Sequence, residues 1–66
     1  MNITVNGKPI ICNEQSTITD LLLQLQLSSD TVIIEKNKEL IPTKHFSSTI
    51  LEEKDTLELL HFVGGG

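Results

Sequence analysis

A single amphipathic helix is predicted in this chain, between segments that have the pattern of β-strands. Thr17 and Asp20 have the spacing of a capping box at its start, and the polar residues 28–30 are expected to end it. No second helix is predicted that could cover its apolar face, so this helix must pack on a β-sheet. That face consists of four residues at i, i+3, i+4 and i+7 positions: Ile18, Leu21, Leu22 and Leu25.

A β-hairpin is predicted ahead of the helix. Asn6-Gly7 follows an alternating strand pattern at residues 3–5, and Asn-Gly accepts the positive φ of a two-residue hairpin turn. The return strand is predicted over residues 9–13. If Ile3 and Val5 face the core, Ile10 and Cys12 face it too, and Ile11 lies on the opposite face of the sheet.

Three more strands are predicted after the helix. Residues 32–35 have the β-branched pattern of a buried strand, residues 36–38 form a turn, and Leu40-Ile41 is a short strand that Pro42 ends. Residues 43–49 are expected to form an irregular turn or a short 3₁₀ segment, and residues 52–55 a charged surface turn. The last strand covers residues 56–63, with Leu57 and Leu59 directed to the core.

These elements predict an α+β fold of the β-grasp type. The sheet is mixed, has four to five strands, and carries the one helix on a single face. We expect the first and last strands to lie side by side at its centre, in parallel. The folded domain spans residues 1–63 and a glycine tail spans residues 64–66. A chain of 66 residues is too short to form both a hydrophobic core and the walls of a deep active-site cleft.

The charge of the chain restricts its partners. The formal net charge is −4, there is no arginine, and the five lysines are spread along the sequence. Nucleic acids and anionic membranes are bound through clustered positive charge, so neither is an expected partner. An acidic chain suits a protein partner with a basic docking surface.

The cysteine content and the lack of a recognisable targeting signal predict a cytoplasmic protein. Cys12 is the only cysteine, which excludes an internal disulfide. The N-terminal residues have no signal-peptide pattern, and no apolar run has the length of a transmembrane helix. We therefore expect a cytoplasmic location.

No group of side chains in the sequence predicts an enzyme active site. A Cys12 dyad with His45 or His61 is conceivable, but Cys12 lies where a strand should point inward, and free cysteine is usually a buried small apolar residue. The Glu52-Glu53 pair lies on a turn and is interpreted as solvated surface. The two histidines lack the spacing of metal ligands, so neither a metal nor a cofactor is expected.

The three glycines at the C terminus are the feature that folding does not need. Glycine loses the most entropy on ordering and has no side chain to pack. Extended, these residues reach about 10 Å past Val63 and would fit a narrow tunnel in another protein. The Gly66 carboxylate, ionised at neutral pH, can attack the α-phosphate of ATP. The acyl-adenylate can then accept sulfur as a thiocarboxylate.

Motifs along nearly the whole chain resemble the ThiS family, the sulfur carriers of thiamin biosynthesis. They are MNITVNGK, STITDLLLQL, NKELIP and EKDTLELLHFVGGG. The features most specific to the family are the charged turn with Asp55, the alternating strand after it and the terminal Gly-Gly. Lys36 departs from the family, whose members often have an apolar residue there, so the length of the third strand is open.

The resemblance implies a carrier rather than an enzyme. An adenylating enzyme related to the ubiquitin-activating family would act on Gly66 with ATP, a sulfur donor would form the thiocarboxylate, and thiazole synthase would take up the sulfur. Gly64 and Gly65 would thread with Gly66 into these partners.

The sheet face opposite the helix is the candidate docking surface. Leu60 and Phe62 alternate to this face, and Ile11 lies on it too. Three alternatives stay open: the small subunit of molybdopterin synthase, a ubiquitin-like modifier joined to target lysines, and a purely structural binding module.

Overall fold

The structure, a computed structural model, describes residues 1–62 as a five-stranded sheet with one helix. The strands are β1 (Asn2–Val5), β2 (Lys8–Ile11), β3 (Val32–Lys36), β4 (Glu39–Ile41) and β5 (Thr56–His61), and the helix is α1 (Ile18–Leu25). Two 3₁₀ turns cover Ser29–Thr31 and Thr43–His45. The predicted domain boundary after residue 63, and the tail at residues 64–66, lie outside the described residues.

The order of strands in the sheet is β2-β1-β5-β3-β4. Strands β1 and β5 are parallel, with Thr4 opposite Thr56 and Val5 opposite Leu57, and β5 is antiparallel to β3. The predicted parallel pairing of the first and last strands is therefore confirmed, and with it the β-grasp arrangement. Because β5 is the middle strand, its C-terminal end leaves from the centre of the sheet rather than from an edge.

Both hairpins turn through two residues with positive φ. Asn6 and Gly7 have φ values of 51° and 80° and join Val5 to Lys8, as predicted. Asn37 and Lys38, with φ of 52° and 70°, make the second turn without a glycine. This turn is shorter than predicted because β3 continues through Lys36, and β2 ends at Ile11 instead of residue 13.

The helix begins as predicted and ends early. Asp20 N–H donates to Thr17 Oγ1 at 3.2 Å, and Thr17 N–H donates to Asp20 Oδ2 at 2.9 Å. The helix ends at Leu25 because Gln26 adopts a left-handed conformation, which directs Leu27 N–H to Leu22 O at 2.9 Å. This is a Schellman motif, with Leu27 partly buried against the core.

Residues 52–55 were predicted to form a charged surface turn, and this prediction is wrong for Asp55, which is buried. Asp55 is only 6% exposed, because its carboxylate joins the β3–β4 turn to the start of β5. It accepts hydrogen bonds from Asn37 Nδ2 at 3.0 Å and from Glu52 N–H at 2.8 Å. Lys36 Nζ lies 3.8 Å from the same carboxylate.

Candidate functional site

The last described residues, which precede the glycine tail in the sequence, are held by hydrogen bonds to neighbouring parts of the sheet. On one side of β5, Phe62 N–H donates to Thr31 O at 2.7 Å, so pairing continues beyond the end of the strand. The predicted site residues Gly64, Gly65 and Gly66 lie outside the described residues. The structure thus describes the chain as far as Phe62.

On the other side of β5, the side chain of Asn6 takes the place of a strand. Its Nδ2 donates to Leu59 O at 3.1 Å, and Leu59 N–H donates to its Oδ1 at 2.7 Å. Backbone pairing from β1 stops here, because the chain turns away at Asn6 and Gly7. The amide therefore extends the support of β5 by two residues. The sequence indicated Asn6 only as a turn residue.

An apolar surface lies beside the end of β5, on the sheet face opposite the helix. Ile33 is directly opposite Leu60 across the β3–β5 pair, and Leu40 lies on the adjacent edge strand. The exposed fractions are 43% for Ile33, 61% for Leu40, 57% for Leu60 and 49% for Phe62. We call these four residues the open-face patch. Exposed apolar groups collected in this way are typical of protein-binding surfaces.

Two of the three predicted docking residues, Leu60 and Phe62, belong to this patch, but Ile11 does not. Ile11 has the predicted exposure, on the same face, and lies opposite Asn2. Because Thr4 is opposite Thr56, Ile11 is displaced from Leu60 by about 20 Å along the strands, at a rise of ~3.3 Å per residue. Ile11 thus lies on the predicted face but apart from Leu60 and Phe62, which have Ile33 and Leu40 as their apolar neighbours, and its role in docking stays a prediction.

The residues considered for catalysis differ in their exposure to solvent. Cys12 is buried in the core, and this burial raises the pKa of its thiol, which keeps it protonated at neutral pH. His45 and His61 are both exposed. Among residues 1–62, no group of three histidine, cysteine, aspartate or glutamate side chains could hold a metal ion. No helix in this part of the chain is long and apolar enough to cross a membrane.

Known proteins resemble this chain in sequence and in fold. The family model of the ThiS family matches residues 3–66. The sulfur carrier protein ThiS of Bacillus subtilis is 40% identical over 65 residues, covering 97% of this chain and 98% of that protein. The crystal structure of the thiamine biosynthesis protein ThiS from Geobacter metallireducens superimposes with a TM-score of 0.83 at 38% identity, covering 100% of both chains.

A longer relative contains a region similar to this chain as one part of its length. A thiazole synthase of Magnetococcus marinus is 33% identical over 66 residues, which are 100% of this chain and 20% of that protein.

Proposed function

This chain belongs to the ThiS family, and we propose that it carries sulfur for thiamin biosynthesis as a thiocarboxylate at Gly66. The observation that supports this proposal most directly is the position of the C-terminal part of β5. Strand β5 is supported by β3 on one side and, as far as Leu59, by the Asn6 side chain on the other, and its last described residues lie beside the open-face patch. A protein that docks on the patch would therefore have the tail within reach of its own active site.

The proposed chemistry takes place in two steps on a partner enzyme. A carboxylate oxygen of Gly66 attacks the α-phosphate of ATP, and pyrophosphate leaves. A sulfur nucleophile delivered by a donor protein then attacks the acyl carbon, and AMP leaves with the oxygen that had linked it. With sulfide the product is the thiocarboxylate itself; with a persulfide, a thiol must cleave the resulting acyl disulfide. The carrier supplies the reacting carboxylate, and the adenylating enzyme supplies the catalytic groups.

Thiazole synthase is the proposed acceptor of the sulfur. The thiazole synthase of Magnetococcus marinus has a region similar to this whole chain within one polypeptide. Joining two partners in one chain raises the effective concentration of one at the other, which is useful when the two must meet in each turnover. This arrangement supports thiazole synthase as the partner here.

The open-face patch is the proposed docking surface for these enzymes. Leu60 and Phe62, predicted from the sequence, form it together with Ile33 and Leu40. These side chains are exposed in the isolated chain, and burying them under a partner would stabilise the complex by the hydrophobic effect.

The test is the intact mass of the chain after incubation with ATP, the adenylating enzyme and a sulfur source. We expect a gain equal to the exchange of one oxygen for sulfur, absent from a chain that lacks Gly66. No gain, with the enzyme active on another carrier, would contradict the proposal.

The same experiment separates the alternatives. High-mass conjugates that require Gly66 would identify a modifier. Sulfur uptake by a molybdopterin synthase large subunit, and not by thiazole synthase, would identify the other pathway.

A further inference from the structure

Two carboxylates lie directly opposite each other on the open sheet face. Glu35 of β3 pairs with Glu58 of β5, and both side chains are exposed. Residues directly opposite on neighbouring strands have Cβ atoms roughly 5 Å apart, and like charges at this separation destabilise a sheet. The pair is therefore a feature that folding alone does not favour.

No basic side chain of the described residues is paired with these carboxylates. The ion pairs found in residues 1–62 join the N-terminal amine to Glu14 and Lys36 to Asp55. Lys38 lines a neighbouring groove with Glu58 but forms no ion pair with it. The negative charge of Glu35 and Glu58 is thus available to a group from outside the chain.

The carboxylates border a shallow groove that continues into the open-face patch. The groove has a volume of about 410 Å³ and is lined by Asn6, Ile33, Glu35, Glu58, Leu59 and Leu60. The strand register puts Ile33 and Leu60, which belong to the patch, in one row of the open face and the two carboxylates in the next row. The groove therefore has an apolar part and a charged part. A long basic side chain has the same division, with an aliphatic stem and a charged end.

We propose that this groove receives a basic side chain, best matched by arginine, from the enzyme that docks on the open-face patch. The stem would lie on Ile33 and Leu60, and the planar guanidinium, whose donors are fixed in a fork, would reach both Glu35 and Glu58. The net charge of −4 favours the approach of such a basic surface. This inference rests on the proposed function, because it describes the partner of the same docking surface.

The test compares Glu35→Gln and Glu58→Gln with Glu39→Gln, which removes the same charge from an exposed position. Glu39 neighbours Leu40 on β4, so its side chain lies on the opposite face of the sheet. The KM of the adenylating enzyme for each carrier is measured by the mass assay at low and at high salt, and each melting midpoint is recorded.

We expect each groove variant to raise KM about tenfold at low salt and less at high salt, with kcat unchanged, because the lost charge acts mainly on association. Glu39→Gln should behave as the parent chain. The melting midpoints of the groove variants should stay equal or rise, since a like-charge contact is removed.

Equal KM values for all three variants and the parent would overturn the inference while leaving the carrier function intact. A fall in melting midpoint that accompanies the rise in KM would also overturn it, since the pair would then have a structural role. If the parent chain itself gains no sulfur, the proposed function fails first, and this inference fails with it.

Discussion

Asn6 and Leu59 are joined by two hydrogen bonds between the side-chain amide of the first and the backbone of the second, at 3.1 Å and 2.7 Å. The amide stands where the next residue of β1 would pair if the strand continued. A hairpin turn at one end of the sheet thereby supports the strand that leads to the C terminus. This relationship connects the N-terminal hairpin to the proposed function of the tail.

Asn6→Gly is predicted to weaken this support while preserving the turn, because glycine readily adopts the φ of 51° found at Asn6. The loss of two hydrogen bonds should lower the free energy of unfolding by about 1–2 kcal/mol. Urea denaturation measures this change, and hydrogen exchange of the Leu59 amide should accelerate. An unchanged exchange rate at Leu59 would show that the amide contributes nothing to the end of β5.

Asp55→Ala is predicted to be among the most destabilising single changes in the chain. It would leave Asn37 Nδ2 and the Glu52 N–H without their acceptor, in a place where Asp55 itself is 6% exposed. Losing hydrogen bonds to a buried charged group should cost about 2–4 kcal/mol in the free energy of unfolding.

Glu52→Ala is the control for Asp55→Ala, since it keeps the backbone donor and changes only an exposed side chain. Its free energy of unfolding, from urea denaturation, should stay within about 0.5 kcal/mol of the parent value. Similar losses for Asp55→Ala and Glu52→Ala would contradict the role assigned to the buried carboxylate.

Leu60→Asp is predicted to impair docking without unfolding the domain. Leu60 is 57% exposed, so its replacement leaves the core intact but puts a charge on the open-face patch. The KM of the adenylating enzyme should rise at least about tenfold, as expected when an apolar residue that the partner buries is replaced by a charged one. Leu23→Asp, at a 70% exposed position of α1 on the far side of the sheet, is the matched control. Equal KM values for these two variants would mean that the patch is not used.

Glu53 is predicted to contribute stability that depends on pH. Its Oε1 accepts a hydrogen bond from the backbone N–H of Asn2 at 2.9 Å, and this bond lowers the pKa of Glu53 below its ordinary value of 4.5. A carboxyl group with a lowered pKa in the folded state stabilises the fold above the unfolded pKa. That contribution disappears as the pH falls through the lower, folded value.

Glu53→Gln removes this titration and can still accept the hydrogen bond. Urea denaturation should therefore show a lower free energy of unfolding for Glu53→Gln than for the parent at neutral pH. The difference should shrink as the pH falls through the lowered pKa of Glu53 in the folded state, because the parent carboxyl then becomes protonated. A difference that does not change with pH would exclude the charge of Glu53 as its source.

The elements that the sequence predicted correctly rest on short-range chemistry. The capping box of Thr17 and Asp20, the Asn6-Gly7 turn and the inward faces of the strands depend on residues within a few positions of one another. The early end of α1 was missed, because the left-handed conformation of Gln26 depends on the packing of Leu27 against the core. Residue type alone does not indicate that contact.

The features that the sequence analysis did not predict depend on contacts between residues far apart in the sequence. Asp55 resembles its charged neighbours in sequence, but Asn37, which lies on another hairpin, makes its burial favourable. Glu35 and Glu58 are distant in the sequence, and only the register of β3 against β5 makes them neighbours. The same register brings Ile33 to Leu60, while the register of β1 against β5 separates Ile11 from both.

The sequence by itself determined the order of the elements, the core-facing residues of the helix, the first hairpin and the last strand, and the glycine tail as the candidate reactive end. Each of these is a local property, set by the periodicity of a helix or strand and by the conformational freedom of glycine. Only the tertiary structure decided which exposed residues share a surface: the open-face patch, the carboxylate pair beside it and the Asn6 contact with β5. Those neighbours are decided by strand order and register, because hydrogen bonding between remote strands brings together residues that no spacing along the chain relates.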